Sequence, residues 1–316
     1  MSDTDRPARV PAPLRHAALL FSGLLAALPA RFSDVLTVVM ARFVYWKGHA
    51  LHSQVLQDFR DNVDPTAQRS ARKWRPVRAM YRALVRNTND ALWFLTASPE
   101  RARQRFRIAD PAPLVSALVE GHGAVVVFPH LGSYASLPVV LALNGFPTTV
   151  VANRQSGPMQ WVMERGAGKA GMELVSVDKT RGTSVTGAMA DALRRGRIVV
   201  VAGDYFRARE GGGTGVTVEL AGTKRQVGPG AALLALRTGA PLVPAAVFQE
   251  KHRREPVIGS PIPVPELPDD TDRADAVQQL CRQIADAMTE FIEREPEQWV
   301  MPGGLVSDSL GRRAGR

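Results

Sequence analysis

The hydrophobic rhythm of the chain changes near residue 110. Between Ala71 and Arg107, Trp74, Val77, Met80, Tyr81, Leu84, Val85 and Leu92 recur every three or four residues, which predicts an amphipathic helix with arginines on its other face. That basic face reads either as solvated or as laid against anionic lipid. Upstream lie two apolar runs, His16 to Arg31 and Val35 to Lys47, behind a basic start at Arg6, Arg9 and Arg15 that superficially imitates a secretory leader. Each run is shorter than the ~20 apolar residues of a spanning helix, and Arg42 interrupts the second. The pair is expected to form interfacial helices on a bilayer surface; the alternative is two helices packed on the domain as core.

Beyond residue 110 short β-branched runs take over: Gly123 to His130, Thr148 to Arg154, Arg197 to Tyr205 and Pro241 to Gln249. Helical segments separate them, at Ser136 to Asn144, Pro158 to Ala170, Ser184 to Arg195 and Gly230 to Thr238. Continuous apolar strands alternating with helices predict an α/β fold, a central mostly parallel sheet flanked by helices and buried on both faces. Val216 to Gly228 reads as a hairpin turning at Ala221, Gly222 and Thr223. A last helix, Asp272 to Glu293, precedes Pro296–Trp299, read as structural packing with Trp299 buried against the sheet. The expected organisation is disordered ends at 1–12 and 304–316, a helical membrane-surface segment at 13–110 and an α/β domain at 111–303, without internal repeats.

Composition narrows the partners. The 316 residues are 45% hydrophobic, enough for a sizeable core, and carry a formal net charge of +10. Such a balance favours anionic partners: phospholipid headgroups, nucleic acids or phosphopantetheine-type carriers. No interleaving of aromatic and basic residues marks a nucleic-acid surface, and no DNA partner is expected. The one cysteine, Cys281, excludes an internal disulfide and reads as core or surface filler. No Cys/His cluster has metal-ligand spacing, so a reducing cytoplasmic setting without metal or other cofactor is expected.

Polar residues at the carboxyl ends of strands in an open α/β sheet gather at the ligand crevice. His130, Arg154 and Asp204 each end a different run. A base, a cation and an acid at one edge suit acyl transfer, which needs a base for the acceptor and positive charge for phosphate or oxyanion. Ser133 is a possible nucleophile, although no G-x-S-x-G elbow surrounds it; the plainer reading makes Ser133 or Tyr134 the cap of a helix starting near Ala135. Backbone N–H groups there are a further candidate for an oxyanion. Lys224 and Arg225 on the hairpin either touch an acidic carrier or are solvated. His252, crowded by Lys251, Arg253 and Arg254, reads as a loop histidine.

Taken together, Phe128 to Tyr134, Val151 to Arg154, Arg165-Gly166, Leu193 to Arg197 before Gly203-Asp204, Gly222, Gly228 to Pro244 and Arg294 to Trp299 resemble, in order, the lipid A late acyltransferases and phosphatidylinositol mannoside acyltransferases of the bacterial lysophospholipid acyltransferase superfamily. The resemblance runs from about residue 15 to 301. It implies transfer of an acyl group from acyl carrier protein or acyl-CoA to a glycolipid hydroxyl, at the cytoplasmic face of the membrane. It assigns the base to His130, headgroup or phosphate binding to Arg154 and Arg165, and acceptor contact to Asn153, where the mannoside enzymes have an acid. For Arg165 a surface ion pair is the other reading. The family motif places an Asp or Glu five residues after its histidine, and here that position is Ala135. An imidazole without a carboxylate loses tautomer control, an effect worth about 10⁴ in rate in a comparable triad. Asp204 matches a family acid on a neighbouring strand and substitutes if its carboxylate lies within hydrogen-bond reach of His130. Two alternatives follow from the missing acid: acyl or aminoacyl transfer to a soluble cytoplasmic acceptor, with charged tRNA as a possible donor, or a non-catalytic descendant that binds acyl chains or membranes.

Overall fold

The computed structural model describes residues 10–48, 52–53, 56–57, 59, 74–153, 158–177, 185–204, 215–249, 254–266 and 273–300. Both chain ends expected to be disordered lie largely outside these residues. The helices with described bounds ahead of the sheet are α1 (Ala12–Ala27), α2 (Ala30–Lys47), α3 (Arg75–Thr96), α4 (Pro99–Arg105) and α5 (Ala112–Leu118). The single helix expected up to Arg107 is two helices. Ser98 caps the second, its Oγ accepting from the Arg101 N–H at 3.3 Å, and Pro99 enters where its missing N–H costs nothing.

The α/β region alternates β1 (Ala124–Phe128), α6 (Leu137–Leu143), β2 (Thr148–Asn153), α7 (Pro158–Ala170), β3 (Glu173–Val177), α8 (Val185–Arg194) and β4 (Ile198–Ala202). Then come β5 (Val216–Leu220), β6 (Thr223–Val227), α9 (Gly230–Thr238), β7 (Leu242–Val247), β8 (Pro256–Ile258) and α10 (Ala274–Arg294). The sheet order is β3-β2-β4-β1-β7-β8, parallel throughout except for β8, and β5–β6 is the expected hairpin. Central β1 shows why its sequence reads as one apolar run. Val125 and Val127 point into a cluster with α8, α9 and α10, while Ala124 and Val126 point into one with α1, α3, α4, α5 and α6. Successive side chains leave opposite faces of a strand, so a strand covered on both sides has no position left for a polar residue.

Helix α1 buries Leu25 beside Trp93 and Phe94, and its Ser22 hydroxyl donates to the Leu92 carbonyl at 2.5 Å. Its other face leaves Leu20 and Leu24 exposed. On α2 the exposed residues include Val35, Val39, Phe43 and Trp46, whose three- and four-residue steps put them on one stripe. Core packing thus describes one side of this pair and an open apolar surface the other. No helix among the described residues is long and apolar enough to cross a membrane.

The arginine face expected on α3 is divided. Arg75, Arg78 and Arg82 are exposed, but Arg86 is buried, 3.5 Å from Asp34 of α2. One turn further on, Asp90 is closed from water with Arg254 and Arg105. Arg254 Nε lies 2.5 Å and Nη2 3.0 Å from its two oxygens, and Arg105 Nη2 lies 2.5 Å from Oδ1. Arg254 thus ties the segment before β8 to helix α3. Its 1% exposure makes it one of the most buried large side chains. His252, Lys251 and Arg253 lie outside the described residues.

Candidate active site

The register of β1 on β4 aligns the two residues that matter most. Phe128 is level with Ala202, so two residues beyond each strand end His130 meets Asp204. His130 Nδ1 lies 2.7 Å from Asp204 Oδ1. The His130 main-chain N–H donates to Oδ2 at 2.7 Å, and the Trp299 indole N–H donates to the same oxygen at 2.9 Å. The Asp204 side chain is 0% exposed and that of His130 is 18% exposed. Gly203 makes this approach possible, because a Cβ there would sit 2.5 Å from Val127 Cγ1.

Burial alone would raise the Asp204 carboxyl. The His130 imidazole beside it and the hydrogen bonds from His130 and Trp299 outweigh that effect and hold it below the usual carboxylate range. An ionised carboxylate only accepts, so Nδ1 carries a proton, and in the neutral imidazole the lone pair is on Nε2. No hydrogen bond among the described residues engages Nε2. Ala135, at the motif-acid position, is exposed and contributes only its N–H, to Asn87 Oδ1 at 3.3 Å.

The loop after His130 is pinned from three sides. Gly132 N–H donates to the Gln298 carbonyl at 3.0 Å and Ser133 N–H to the Val247 carbonyl at 2.7 Å. Asn87 Nδ2 donates to the Gly132 carbonyl at 3.0 Å. Gly132 adopts φ +59°, and a Cβ on it would stand 2.3 Å from the Val247 carbonyl oxygen. The N–H of Ser136 donates to the Ser133 carbonyl at 2.9 Å. The backbone N–H groups of Gly132, Ser133, Ala135 and Ser136 are thus spent on protein acceptors. Ser133 is fully buried; its Oγ neither caps the following turn (Tyr134–Ser136) nor finds a hydrogen-bond partner among the described residues. That burial argues against a nucleophile or a substrate contact.

Tyr134 stands edge-on to His130, ring centroids 4.9 Å apart, and stacks on Phe128. Burial, with the charge of Asp204 second, pushes its phenol up to about 12, so it remains a donor. Asn153 ends β2, level with Val177; its side chain and the whole of Arg154 lie outside the described residues. Arg165 is exposed on α7, its guanidinium 5.8 Å above Trp161. Lys224 is exposed, but Arg225 is half-buried with its guanidinium 4.6 Å over the Trp299 ring, so it is no simple solvated turn residue. Cys281 is core, its thiol pushed up to about 11 by burial.

Two partners escaped the sequence reading. Trp299 was expected to pack, yet its N–H reaches the site acid. Asn87 left a signal: it is a polar residue three positions past Leu84, where the apolar spacing of α3 would continue.

A histidine held on a buried carboxylate at the carboxyl edge of a parallel sheet, with one ring nitrogen unengaged, has the form of a proton-transfer centre in a group-transfer enzyme. Residues 10–302 match the family model of the bacterial lipid A biosynthesis acyltransferases, and the chain belongs to that family, whose chemistry is acyl transfer to a lipid acceptor. No match was found among the curated proteins.

Proposed function

We propose that this protein moves an acyl group from a thioester of acyl carrier protein or CoA to a hydroxyl or amine of a lipid acceptor, with His130 as general base and Asp204 as the acid that orients it. The observation that carries this reading is the 2.7 Å contact from His130 Nδ1 to Asp204, which leaves Nε2 to act. Nε2 takes the proton of the acceptor as its oxygen or nitrogen bonds to the thioester carbonyl carbon. The C–S bond then breaks, and the thiolate leaves with the proton from Nε2. Asp204 supplies the tautomer control that the motif position at Ala135 lacks, and Tyr134 lines the substrate side of the imidazole.

The site works at the cytoplasmic face of a membrane. The exposed stripe Val35, Val39, Phe43 and Trp46, with Leu20 and Leu24 on α1, inserts shallowly, and Arg42 and Lys47 meet anionic headgroups. The test compares wild type with His130→Ala, presenting fatty acyl-CoA, fatty acyl carrier protein and aminoacyl-tRNA with lysophospholipid vesicles and following carrier release. Release from a fatty acyl thioester by wild type alone is expected. Equal release by both proteins from every donor overturns the base, and release from aminoacyl-tRNA alone overturns the fatty acyl donor.

A further inference from the structure

We propose that Trp299 is a positioning residue for the His130–Asp204 pair, its indole N–H aiming the carboxylate at the imidazole. The inference rests on the reading of His130 as base. Asp204 has two oxygens to divide between its partners. Oδ1 meets His130 Nδ1 at 2.7 Å, so the rotation of the carboxylate is decided at Oδ2, where the His130 main-chain N–H at 2.7 Å and the Trp299 indole at 2.9 Å converge. The main-chain donor belongs to the loop that carries the histidine and moves with it. Among the described residues, the indole is the one side-chain donor anchored elsewhere.

That anchor is rigid. Leu131 and Trp299 pair as a short antiparallel bridge, the Gly132 N–H donates to the Gln298 carbonyl at 3.0 Å, and the Val300 N–H donates to the His130 carbonyl at 2.9 Å. The segment after α10 is therefore stitched to the histidine loop residue by residue, and Trp299 is 1% exposed. Over the face of the ring, the Arg225 guanidinium lies 4.6 Å from the centroid. A cation over an indole face draws electron density from it and makes the N–H a stronger donor. The hairpin thereby acts on the acid through the tryptophan. Among the described residues, the charged and titratable groups facing Asp204 are His130 and Tyr134, with Arg225 one ring removed.

The test removes the N–H and keeps the ring, by Trp299→Phe and by replacing Trp299 with 3-benzothienylalanine, in which sulfur stands for N–H. A hydrogen bond to a charged group corresponds to about 10- to 100-fold, so kcat for thioester release is expected to fall by about that factor with KM unchanged. The acid limb of the pH profile moves to higher pH, because Asp204 loses a donor that favours its ionised form. A merely structural tryptophan would lower the thermal midpoint and leave kcat per folded molecule and the profile where they were, which overturns the proposal. A second readout needs no activity: the Trp299 indole resonance in ¹⁵N-tryptophan-labelled protein shifts in Asp204→Asn. Absence of release by wild type sinks the base reading alone, and the resonance then decides the contact; its indifference to Asp204→Asn overturns the positioning role.

Discussion

Asp204 and Asp90 are both closed from water and both held below the usual carboxylate range, yet their partners differ in kind. Burial raises each, and the opposing groups outweigh it: Arg254 and Arg105 at Asp90, His130 and neutral donors at Asp204. Two permanent cations close around Asp90, with Arg254 binding both oxygens, so the carboxylate is neutralised whatever the state of the site. Asp204 is held by an imidazole, a peptide N–H and an indole N–H, none of which is a permanent cation. A fully paired buried carboxylate is structure, whereas one held by neutral donors favours proton uptake by its neighbour.

The sharpest way to break that contrast is to replace each acid by its amide. Asp204→Asn is expected to lower kcat by about 10⁴, as loss of tautomer control does in a comparable triad, with a folded far-UV spectrum. Asp90→Asn does the reverse. It takes a shared counter-charge from buried Arg254 and Arg105 and is expected to cost about 3–5 kcal/mol in urea unfolding, with activity per folded molecule unchanged.

The same pair separates on acidification. A carboxyl whose folded pKa is depressed adds stability that is fully present above its unfolded value, about 3.9, and is lost as pH falls through the folded one. The stability gap between wild type and Asp90→Asn is therefore expected to narrow as urea midpoints are followed from pH 7 to below pH 4. A gap independent of pH would remove ionised Asp90 from the fold's energetics.

Smaller effects test the geometry around His130. Gly132→Ala forces a left-handed residue to carry a Cβ against the Val247 carbonyl, a strain of about 1–3 kcal/mol. The loop is expected to shift, with kcat falling further than the thermal midpoint implies. Ala135→Asp restores the motif acid at an exposed position where Asp204 already holds Nδ1. An exposed charge pair contributes about 0.2–1 kcal/mol, so the rate is expected to stay within about fivefold of wild type. A larger gain would show that Asp204 is an incomplete substitute.

The legible parts of the molecule were those where one segment carries its own signal. Strands β1 and β7 are unbroken apolar runs because every position of β7 and all but the last of β1 are buried; β2 and β4 are legible from their β-branched runs although their C-terminal halves are only partly covered. β3 was missed: as an edge strand reading Glu173-Leu-Val-Ser-Val177 it is short and partly exposed. β8 was missed because three residues opening on Pro256 carry no periodicity. The break at Ser98 is readable as a cap followed by proline, with the polar helix Pro99–Arg105 after it carrying no apolar stripe of its own.

The sequence by itself determined the alternation of the four apolar strands with helices, the placing of His130 and Asp204 at strand ends and the lack of an acid at Ala135, since these depend on local pattern and residue identity. Only the tertiary structure decided which acid serves the histidine. His130 and Asp204 lie 74 positions apart, Asp204 and Trp299 95, Asp90 and Arg254 164. Parallel strands fix their register by packing and hydrogen bonding across the sheet, not by anything written in either strand, so a one-residue slip of β4 on β1 would have sent Asp204 to the opposite face.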